Sequence, residues 1–152
     1  MTTQRIKVGG NDAKVKELRA LVDRDPLNVN QRFMLASALE SDGKLMDSVK
    51  ELGICIEKGR RNLGVAHCTY AVSLMKVNKP EEALSHFDLA IETNPSDASF
   101  YLNNKASALT QIGLHDKARA IYAQILDRKD VSKETQRIVI KRVADMKNQG
   151  KK

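Results

Sequence analysis

The chain has 152 residues, with 26 Lys and Arg against 19 Asp and Glu, a formal net charge of +7 and a pI near 9.5. Hydrophobic residues at 41% are too many for a disordered chain, and no run reaches the roughly 18 apolar residues needed to cross a bilayer. A soluble domain with one core is expected, and the charge raises the question of an anionic partner.

From the N-terminus, the stretch Met1 to Asn11 holds Arg5 and Lys7 but no apolar segment after them, so no secretory leader is expected and the location reads as cytoplasmic. Val8-Gly9-Gly10-Asn11 makes residues 1–11 a flexible lead. Helices are predicted over 12–24, 28–41, 44–59, 63–76, 80–93, 98–112, 115–128 and 131–147, with no strand. Pro26 and Pro95 lie in loops, whereas Pro80 opens a helix, where it loses no intrahelical bond; Glu81 and Glu82 beside it favour the positive end of the helix dipole. The two cysteines, Cys55 and Cys68, fall inside helical patterns, which suits a reducing compartment rather than a disulfide framework.

The helices repeat. At an offset of 35 residues Ala36, Ala71 and Ala106 align, then Leu39, Leu74 and Leu109, then the turn residues Gly43, Asn78 and Gly113. In the second half of each unit Ser48, Ala83 and Ala118 align, followed by Leu52, Phe87 and Tyr122, by Cys55, Ala90 and Ile125, and by Ile56, Ile91 and Leu126. Spacings of three and four, as in Ala83, Phe87, Ala90 and Ile91, put each set on one helical face. Each unit is therefore helix, turn, helix. Gly43, Asn78 and Gly113 are the residue types that take a left-handed conformation at a helix end.

This pattern resembles the tetratricopeptide repeat. In the middle unit Tyr70 and Ala71, Leu74, Asn78, Ala83, Phe87, Ala90 and Pro95 match the motif's order of large, small, large, turn, small, aromatic, small and proline. Lys105, Cys55, Ile125, Arg60 and Asp130 depart from it in the outer units. The resemblance implies an all-α, helical-hairpin solenoid: three units at about 28–60, 63–95 and 98–130, a half repeat at 12–26, and a capping helix at each end. The solenoid spans 12–130, and 131–152 forms a basic capping helix and tail. With Ile138, Val139, Val143 and Met146 as its apolar face, the last helix is expected to be the least stable element.

No catalytic, cofactor or metal constellation is apparent. His67, His86 and His115 fall on different elements without a companion at metal-ligand spacing, and Gly9-Gly10 lacks the remainder of a phosphate loop. A non-enzymatic interaction module without cofactor is expected, with a protein segment as partner. The resemblance assigns the concave groove to the first helix of each unit. Its candidate positions are Asn30, Phe33, Met34 and Ser37, then Val65, Cys68, Thr69 and Val72, then Phe100, Asn103, Asn104 and Ser107. Deeper positions add Glu40, Met75 and Thr110, then Ser41, Lys76 and Gln111. The groove is apolar and neutral-polar, and its asparagines suit a peptide backbone. The clamp by which some relatives hold acidic C-terminal tails has only Asn104 as a counterpart, because Phe33, Ser37, Thr69 and Phe100 stand at its other positions.

The positive charge sits elsewhere. Nine basic residues from Arg128 to Lys152 face three carboxylates, a net of +6, so the first 127 residues are nearly neutral at +1. Lys133, Arg137 and Lys141 form a ridge with Arg142 beside it. Cap helices are commonly polar and no aromatic is interleaved for base stacking, so the ridge reads first as a solubilising cap. The alternatives are contact of this helix with nucleic acid or an acidic partner, and a small secretion-type chaperone, a class expected to be acidic. Monomer and homodimer are both compatible with the sequence.

Overall fold

A computed structural model of the protein describes residues 11–59 and 63–149. The expected lead, the junction at 60–62 and the last basic residues, Lys151 and Lys152, lie outside the described residues. Eight α-helices and one 3-10 turn, with no strand, make up the described residues. The helices are α1 (Asp12–Arg24), α2 (Val29–Ser41), α3 (Leu45–Lys58), α4 (Leu63–Lys76), α5 (Pro80–Thr93), α6 (Ala98–Gln111), α7 (His115–Leu126) and α8 (Lys133–Gln149).

Local chemistry sets the boundaries and explains where they differ from expectation. Asn28 is the cap of α2 rather than its first residue, because its Oδ1 accepts from the Gln31 amide at 3.1 Å. Pro95–Asp97 turns as a 3-10 element before α6. The seventh helix stops at Leu126, and beyond it the Arg128 guanidinium grips the Asp130 carboxylate at 2.7 and 3.0 Å. The eighth begins after Ser132, whose Oγ accepts from the Thr135 amide at 3.1 Å.

The three inter-helix turns share one geometry. Gly43, Asn78 and Gly113 have φ of +78°, +60° and +82°. In each, the next residue's amide reaches back five positions: Lys44 to Leu39, Lys79 to Leu74 and Leu114 to Leu109, at 2.8, 2.9 and 2.8 Å. This is the Schellman arrangement that satisfies helix-terminal carbonyls. A Cβ at Gly43 or Gly113 would meet nothing within 4 Å, so the demand for glycine is conformational and not steric.

Helices α2 with α3, α4 with α5 and α6 with α7 form hairpins that stack in order, with α1 packed on α2 and α8 on α7. Every aligned alanine and leucine of the first helices is buried, as are Ser48, Ala83 and Ala118 and the large Leu52, Phe87 and Tyr122 of the second. The small residues let the helices approach and the large ones fill the space between units, each contributing about 1.5–3 kcal/mol by burial. Gly64 marks a close approach of α4 to the chain around α5 and α6: a Cβ there would stand 2.7 Å from Asn94 Cβ and 2.8 Å from Tyr101 Oη. At the ends, Val15, Leu18 and Val22 of α1 cover Leu35 and Leu39, and Val139 and Met146 of α8 join Tyr122 and Ile125.

Candidate functional site

The first helices of the hairpins carry the candidate groove. On α2, Met34 is exposed at 51%, with Asn30 and Ser37 also exposed and Phe33 half-buried. On α4, Val65 is exposed at 41% and Thr69 and Val72 are half-buried. On α6, Phe100 is exposed at 59%, Ser107 is exposed, and Asn103 and Asn104 are half-buried.

Cys68 departs from this set. It is buried in the middle core with Ala71, Phe87 and Tyr101, because α4 is the first helix enclosed by a unit on either side. Burial pushes its thiol up to about 11, and burial with the neighbouring Glu51 charge pushes Cys55 up to about 11. Both thiols are thereby held in the unreactive protonated form.

Hydrogen bonds occupy part of the polar face. Thr69 Oγ1 donates to the Val65 carbonyl at 2.9 Å, and Asn104 Nδ2 donates to the Phe100 carbonyl at 2.9 Å, which leaves the Asn104 side-chain oxygen as an acceptor. Asn103 Oδ1 accepts from Arg142 Nη1 at 3.2 Å. The deeper charges cancel: Lys76 of α4 forms an ion pair with Glu40 of α2, which also accepts from Ser73 Oγ. The groove between the first two units is therefore locally neutral and cross-linked.

Two clefts show the repeat continuing past the third unit. The cleft between α4 and α6, about 170 Å³, is walled by Val72, Met75, Lys76 and Phe87 on one side and by Asn104, Ser107 and Gln111 on the other. The cleft between α6 and α8, about 390 Å³, is walled by Ser107, Thr110, Gln111 and Tyr122, each 35 positions on from the first set, and then by Arg142, Asp145 and Met146. The last helix thus stands where the first helix of a fourth unit would stand, and it supplies a groove wall.

The basic residues of α8 accordingly divide. Lys133, Arg137 and Lys141 are exposed, whereas Arg142 is half-buried and turned toward α6, away from the ridge that its sequence position suggested. None of the four forms an ion pair among the described residues.

The structure also joins residues that sequence spacing left apart. His67 of α4 and His86 of α5 face each other with Nδ1 atoms 2.9 Å apart, and Tyr70 meets the His86 ring edge-on at 4.5 Å. The only sequence signal for this pair is that the two residues occupy the two helices of one hairpin. No group of three or more His, Cys, Asp or Glu side chains that could hold a metal ion occurs among the described residues. No helix among them is long and apolar enough to cross a membrane.

No family model and no curated relative matches the sequence. Solved structures do match the fold. Two crystal structures of MamA superpose with a TM-score of 0.69 at 16% identity, covering 79% and 88% of this chain and 64% and 73% of theirs. A further MamA structure, MSR-1 C2, superposes at 0.66 with 19% identity, covering 80% of this chain and 68% of that one. The chain thus spans about two thirds of the MamA chains it resembles. At this identity the likeness concerns architecture, a helical solenoid of the tetratricopeptide type.

Proposed function

We propose that the protein is a non-catalytic interaction module that holds an extended or helical segment of a partner protein in the concave groove formed by α2, α4 and α6. The observation that carries this reading is the exposure of Met34, Val65 and Phe100 at 51%, 41% and 59% on the three first helices, beside an otherwise neutral face. Large apolar side chains left in water along one groove are typical docking anchors. Phe100, Met34 and Val72 serve as the apolar contacts, and Asn104 offers its side-chain oxygen to a backbone amide. The fold supports the same reading, since solenoids of this type are protein–protein interaction modules. An adaptor, scaffold or assembly factor in the cytoplasm fits this arrangement.

Affinity capture with the wild-type chain, Phe100→Ala and Asn104→Ala tests the reading, with Leu89→Ala on α5 as an exposed control. Loss of a buried apolar anchor costs about 2 kcal/mol or more, so recovery of a specific partner should fall at least about tenfold for Phe100→Ala and remain unchanged for the control. Equal recovery with all folded variants contradicts it.

A further inference from the structure

One residue of the groove wall bears on the chemistry of the occupant. Cations stand at the two clefts beside α6 and at a further one between α1 and α2, lined by Lys14, Leu18, Phe33 and Met34: Lys14 there, Lys76 between α4 and α6, and Arg142 between α6 and α8. Lys14 pairs with Glu17 at 3.1 Å and Lys76 pairs with Glu40. Arg142 has no carboxylate partner among the described residues, and Asp145 in the same cleft forms no ion pair with it.

Arg142 is nevertheless fixed in place. Its Nη1 donates to Asn103 Oδ1 at 3.2 Å and, at 3.5 Å, to the hydroxyl of the buried Tyr122. Both acceptors are neutral, so they orient the guanidinium without compensating its charge. A guanidinium carries five donors in one plane, and its other edge stays available for the two oxygens of a carboxylate. The 390 Å³ cleft beside it has room for a side chain. A half-buried cation without a counter-ion bears a desolvation cost that a bound carboxylate relieves, so recognition is strongest for an anion delivered to this point.

We propose that Arg142 recognises one acidic side chain, Asp or Glu, of the partner segment seated in the groove. This rests on the groove reading and adds the charge of the ligand at one end. Asp145 at the same cleft opposes any anion, and opposes a doubly charged phosphate more than a singly charged carboxylate. The exposed Lys133, Arg137 and Lys141 take no part.

Selection of a displayed library of random peptides about ten residues long, the length that an extended chain needs to run across three first helices, tests this with the full chain. The selected peptides should share one Asp or Glu position. Binding of a selected peptide should weaken about tenfold with Arg142→Gln, equally with Glu→Gln in the peptide, and no further when both are changed. Lys133→Gln, Arg137→Gln and Lys141→Gln together should leave it within about twofold. A phosphoserine peptide should bind no better than its glutamate counterpart. Helical circular dichroism shows whether Arg142→Gln folds, and Arg142→Lys, which keeps the charge and loses the fork, should retain part of the affinity.

Peptides that need Phe100 and Val72 but share no acidic position, or bind Arg142→Gln equally, overturn the Arg142 assignment and leave the groove reading standing. Peptides indifferent to Phe100→Ala and Val72→Ser, or no selected peptides at all, overturn both. Loss confined to the triple ridge variant, or preference for phosphoserine, also overturns the assignment.

Discussion

His67 and His86 confront each other across the middle hairpin with their Nδ1 atoms 2.9 Å apart, so one nitrogen must donate and the other accept. Protonating both rings would set two donors and two charges face to face. Burial holds both imidazoles below their usual range. For His67 the His86 charge lowers it further, whereas for His86 the Glu82 carboxylate works in opposition.

The consequence is a pH dependence of definite sign. The folded pair binds protons less readily than unfolded histidines, which titrate at about 6.5, so stability is present above that pH and is lost as the pH falls through it. The melting temperature should fall by a few degrees between pH 7.5 and 5.0. His86→Gln should flatten that dependence without abolishing folding. Identical pH profiles for the two proteins would contradict the account.

Ser48 occupies a position that holds Ala83 and Ala118 in the other units, and its Oγ is buried without a hydrogen-bond partner. Removing an unsatisfied buried hydroxyl recovers about 1 kcal/mol, so Ser48→Ala should stabilise the protein in urea denaturation by that order. A destabilised Ser48→Ala variant would show that the hydroxyl has a role beyond its slot.

Gly113 and Asn78 pose a matched test. Both have positive φ, and the space around the Gly113 Cβ position is empty. Gly113→Ala should therefore cost about 1 kcal/mol through backbone strain alone, and Gly113→Asn distinctly less, as read by the denaturation midpoint. Equal losses would place the cost in packing instead.

Lys133, Arg137 and Lys141 are exposed on α8 and pair with nothing among the described residues. Their joint replacement by Gln should shift stability by no more than about 0.5 kcal/mol in thermal melts. Were the ridge a polyanion site, wild-type affinity for a nucleic acid would fall with salt at a log-log slope of about −0.7 to −0.9 per phosphate. The cap reading expects no saturable binding at all.

The sequence carried the architecture because the fold repeats it: each column of aligned residues reports the same packing three times. Ala71, Leu74, Ala83, Phe87 and Ala90 are buried where the spacing placed them. Site details were less legible, since periodicity specifies a face and not its depth. Cys68 shares a column with the half-buried Phe33 and Asn103, yet units on both sides of α4 bury it. Lys76 and Glu40 are 36 positions apart, one step from the repeat, and that signal was available in the numbers. Asn103 and Arg142 are 39 apart, the repeat step plus about one helical turn, because the long Arg142 side chain reaches back along α6, and only coordinates bring them together.

The central claim is that partners enter through the concave face. A photoreactive benzoylphenylalanine placed at Phe100, 59% exposed on α6, and separately at Leu89, 38% exposed on α5, tests it in cells of the source organism. The account predicts a discrete crosslinked protein from position 100 and none from position 89. The same adduct from both positions, or an adduct from position 89 alone, would contradict it.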